Sequence, residues 1–97
     1  MDLFSDSVEV GTTPTAVFSF VPVILHSVVI EADCSRRINL GVGGVSDGAG
    51  LELTDGATLS FGYTDFDLHD SDACRMITIY AVGADAGDKV RIFGWRR

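Results

Sequence analysis

Hydrophobic and polar positions alternate along most of this chain, and the alternation predicts strands. TAVFSF (Thr15–Phe20) puts Ala16, Phe18 and Phe20 on one side of an extended backbone, where side chains repeat every second residue. VILHSVVIEA (23–32) follows Pro22 and is rich in β-branched residues, as a buried strand requires. RRINLGVGG sets Ile38, Leu40 and Val42 against Arg37, Asn39 and Gly41. LELTDGATLSFGY reads as a hairpin or tight corner around Asp55-Gly56. In RMITIYAVG both alternating sets are largely apolar, which predicts a central strand buried on both faces. KVRIFGW alternates Val90, Ile92 and Gly94 against Lys89, Arg91, Phe93 and Trp95. No window favours a helical period over a strand. The expected fold is all-β: one domain over residues 1–97, a small β-sandwich or jelly-roll-like barrel of about seven to eight short antiparallel strands.

Charge narrows the function classes. Fourteen acidic residues against seven basic ones give a formal charge of −7. Nucleic-acid binding draws its affinity from a basic stripe that neutralises phosphates, and here the basic residues are dispersed. Nucleic acid is therefore not an expected partner. MDLFSDSVEV lacks the basic and apolar regions of a secretion signal. The longest apolar run, 16–30, is interrupted by Ser19, Pro22, His26 and Ser27, so no membrane partner is expected. Cys34 and Cys74 form no C-x-x-C pair, and reduced thiols are the expectation.

One stretch invites a metal. TDFDLHDSDACR (64–75) holds four aspartates and a histidine within eight consecutive residues. A calcium loop of the EF-hand type needs glycine at its sixth position and a bidentate glutamate at its twelfth. Counting from Asp65, those positions are Asp70 and Met76, so that match fails. An irregular site from Asp67, Asp70 and Asp72 competes with a simpler reading. A period of two keeps Phe66 and Leu68 inward and turns Asp65, Asp67 and His69 to solvent. The solvated connection is preferred, and no metal or cofactor is expected. GVGGVSDGAG lacks the lysine and helix of a phosphate loop and reads as a mobile turn between strands. His26 and Ser27 are adjacent, so on a strand they point to opposite faces and cannot act as a base and nucleophile pair. An enzyme is not expected.

The two ends carry a different signal. Leu3 and Phe4 are apolar ahead of the first strand, and Trp95 is followed by Arg96 and Arg97. Tryptophan and arginine are enriched at the anchoring positions of protein interfaces. Leu3, Phe4, Trp95, Arg96 and Arg97 are therefore candidate interface residues, the termini serving as arms.

Taken in order, VGTTPTA (10–16), VVIEA (28–32), INLGVGGV (38–45), LTDGATL (53–59) and IYAVGADAGDKVRI (79–92) resemble small tailed-phage virion β-sandwich proteins. These are head decoration, cement or surface-fibre proteins. The connection GYTDFDLHDSDAC is longer and more acidic than that pattern. The resemblance implies a capsid decoration or cement protein on the virion surface, assembled in the host cytoplasm. Its partners would be the major capsid protein and other copies of itself, in a homo-oligomer with a trimer as the leading form. The alternative is a ligand- or carbohydrate-binding β-sandwich module of a phage fibre or adhesin, using Tyr63, Tyr80 and Trp95.

If 64–75 is a solvated connection, Asp65→Asn combined with Asp67→Asn leaves folding nearly unchanged. Thermal melts with and without calcium check this; a calcium-dependent loss of stability in the double variant would restore the metal site.

Overall fold

Eight antiparallel strands form two packed four-stranded sheets in a computed structural model, which describes residues 2–43, 45–46, 48–62 and 75–96. In chain order they are β1 (Asp2–Glu9), β2 (Thr15–Phe20), β3 (Leu25–Asp33), β4 (Arg37–Gly41), β5 (Leu51–Thr54), β6 (Thr58–Phe61), β7 (Ile77–Gly83) and β8 (Lys89–Arg96). A 3-10 turn, Pro22–Ile24, leads into β3. One sheet, here sheet A, has the order β1-β8-β3-β6; sheet B has the order β2-β7-β4-β5. Strand β1 pairs with β8, β2 with β7, β3 with β6 and β4 with β5. This nested pairing is the jelly-roll order, and it forms an open sandwich, not a closed barrel.

Strand β1 was not foreseen as a strand. Its sequence, DLFSDSVE, has only Phe4 and Val8 facing the core, both half-buried, so the alternating apolar signal is thin. Tertiary pairing supplies what local pattern lacks: all eight residues register against β8, from Asp2 opposite Arg96 to Glu9 opposite Lys89. The acidic residues along this edge oppose pairing with a stray strand.

A second difference lies in β2. Its register against β7 shifts between Ala16 and Phe18, as a bulge does. The extra residue turns Val17 inward and leaves Ala16 exposed. Strict alternation therefore names Ala16 where the core takes Val17.

The core runs between the sheets. Val28, Ile30 and Ala32 of β3 and Val90 and Ile92 of β8 face Ile38 and Leu40 of β4 and Ala81 of β7. At one end a row of rings crosses the sandwich. Phe4 stacks on Phe18 at 5.5 Å, Phe18 on Phe20 at 5.4 Å, and Phe20 meets Phe61 at 5.4 Å. Phe4 fits because Gly94 lies across from it; a Cβ there would stand 2.8 Å from the Phe4 ring and 2.4 Å from the Ser27 carbonyl oxygen. The Asp55-Gly56 turn joins β5 of sheet B to β6 of sheet A, so it is a corner and not a hairpin. Gly56, with φ of +80°, takes the left-handed backbone that this corner needs.

The opposite end is tied by Asp88, which is only 3% exposed. Its carboxylate accepts hydrogen bonds from the Ser35 amide at 3.2 Å and the Asp85 amide at 3.0 Å. Its backbone carbonyl accepts from the Val10 amide at 2.8 Å. Three connections, β1 to β2, β3 to β4 and β7 to β8, thus meet on one residue. Asp88→Ala removes the acceptor for two amides, each worth about 1–3 kcal/mol when buried without a partner. Denaturant unfolding is expected to show a loss of about 2–6 kcal/mol by that reckoning, and a smaller loss for Asp88→Asn, which keeps one carbonyl oxygen.

Candidate functional site

The candidate interface residues sit in paired strands, not in free arms. Leu3 lies directly opposite Trp95, and Phe4 opposite Gly94. Strand pleating then divides the set. Leu3 and Trp95 point away from the core, while Phe4 packs into it. Arg96 holds its guanidinium 4.9 Å above the Phe4 ring and closes that end of the core. Arg97 lies outside the described residues.

Leu3 and Trp95 belong to a larger surface, the outer face of sheet A. Its rows follow from register. Leu3, Trp95 and Ser27 form one; Ser5, Phe93, Val29 and Ser60 form the next. Then come Ser7, Arg91, Glu31 and Thr58, and finally Glu9, Lys89 and Asp33. Leu3 is 69% exposed and Phe93 51%. The His26 ring rests 5.6 Å from Trp95, at the register shift between Leu25 and Ser27 of β3. Arg91 pairs with Glu31 at 3.4 Å and with Asp33 at 3.0 Å. An open depression along these rows is lined by Ser5, Ser7, Val29, Glu31, Arg91 and Phe93. It is too shallow to enclose a small ligand, which normally buries most of its surface in its site.

Phe93, Val29 and Arg91 were not singled out from sequence. The parity of β8 was readable, since Lys89, Arg91, Phe93 and Trp95 share a face. What sequence did not show was that this face would be left bare.

Sheet B shows the contrast. Described residues of the β4–β5 loop lie over its outer side, where Val45 is buried and the Gly48 amide donates to the Asn39 side-chain oxygen at 3.1 Å. Beneath that loop Asn39 and Val82 are each 2% exposed, although both point away from the core. Val45, Gly48 and Gly50 of the glycine-rich segment thus pack against the sheet. Gly50 permits the close fit: a Cβ there would lie 2.5 Å from the Leu40 carbonyl oxygen.

Among the described residues no three His, Cys, Asp or Glu side chains are placed to hold a metal ion. Asp65, Asp67, His69, Asp70, Asp72 and Cys74 lie outside the described residues, as does Tyr63. Tyr80 is on the outer side of sheet B, so it and Trp95 occupy opposite faces of the sandwich. Cys34 is a free thiol, held above the usual range by burial and by the carboxylates of Asp88, Asp55 and Asp33. It stays protonated and is correspondingly unreactive at neutral pH. No helix of the described residues is long and apolar enough to cross a membrane.

No family model, no curated protein and no solved structure matches this chain.

At the charged end of the roll, the Asp85 carboxyl is shifted by its neighbours. Arg36 and the Ser35 hydroxyl hydrogen-bond Asp85 and hold its carboxyl below the usual carboxylate range. A depressed folded-state value means the contribution is present above the unfolded value and fades as pH falls through the folded one. Asp85→Asn is therefore expected to lower the neutral-pH melting temperature slightly, the group being exposed, with the difference from wild type fading as pH falls through the range of carboxylate titration. Melting curves collected from neutral pH down into the range of carboxylate titration check this.

Proposed function

We propose that this chain is a non-catalytic structural protein of a virion surface, a decoration or cement protein that seats on the major capsid protein and associates with its own copies. The observation that carries this reading is the bare outer face of sheet A, with Leu3, Phe93 and Trp95 in contiguous rows. The outer face of a two-layer sandwich ordinarily meets water and carries polar side chains. A contiguous apolar patch on such a face marks a surface that another molecule covers.

The resemblance in sequence supplies the virion setting, and the jelly roll is compatible with it. Viral capsid and lectin domains both use this fold, so fold alone does not separate the two readings. The shape of the site favours a protein partner over a glycan. A flat row of aliphatic and aromatic groups suits a broad, flat contact. A small domain also gains stability by mass action when a partner binds only its folded form.

The test is sedimentation with capsid shells. The chain is expected to travel with shells of the major capsid protein through a density gradient, in fixed ratio to the shell subunits. Without shells it stays at the top. A chain that stays at the top in both cases, and is missing from purified particles, overturns the reading.

A further inference from the structure

We draw no further inference here: the strongest candidate, the apolar cleft between the two sheets lined by Leu40, Leu51, Leu59, Ile77 and Ile79, adjoins chain that lies outside the described residues, and nothing in the structure shows what covers it.

Discussion

The fold depends on one buried carboxylate. Nested pairing of first strand with last and second with seventh brings their connections to a common end, where backbone amides lose water and need acceptors. Asp88 supplies them: its side chain accepts from the Ser35 and Asp85 amides, and its own carbonyl accepts from those of Val10 and Gly11. Gly83 completes the arrangement, since a Cβ there would stand 2.6 Å from that of Asp88 and 2.8 Å from the Gly11 carbonyl. Sheet A and sheet B are thereby clamped at the place where the chain passes between them. A charged side chain is tolerated so deep because its oxygens are engaged by fixed donors.

Beyond that clamp, the two sheets differ in how their outer sides are finished. On the outer side of sheet B, Val45 is buried and the Gly48 amide bonds the Asn39 side chain, so that side is covered there. Sheet A has no such cover among the described residues, and its outer rows pass from apolar to ionic along β8. The same strand thus builds the core with Val90 and Ile92 and presents Arg91, Phe93 and Trp95 outward. Structure and recognition are divided by pleat, not by segment.

Much of this was legible in the residues. The turns at Asp55-Gly56 and at 84–88 punctuate strands whose alternation is clean, and seven of the eight strands follow from that. Strand β1 was obscured because an edge strand facing water needs few apolar residues, and Phe4 with Val8 is a faint signal. Val17 was missed because a bulge shifts parity, and bulges leave no mark in a hydrophobic pattern. The candidate interface was found in part. Leu3 and Trp95 were named for their chemistry, but their company on one face is a matter of register between β1 and β8. Register across ninety positions is set by tertiary packing, which local sequence does not encode.

Strand β8 is the last of the described strands in chain order, yet it stands second in sheet A, between β1 and β3. During synthesis β1 and β3 therefore emerge long before the strand that joins them. Until β8 arrives, each offers an unpaired backbone, and sheet A cannot close. Contacts so distant in sequence make folding slow, and slow closure leaves strands open to neighbouring chains. The aspartates and glutamate of β1 are useful in that interval: they repel other nascent copies while the strand waits for its partner.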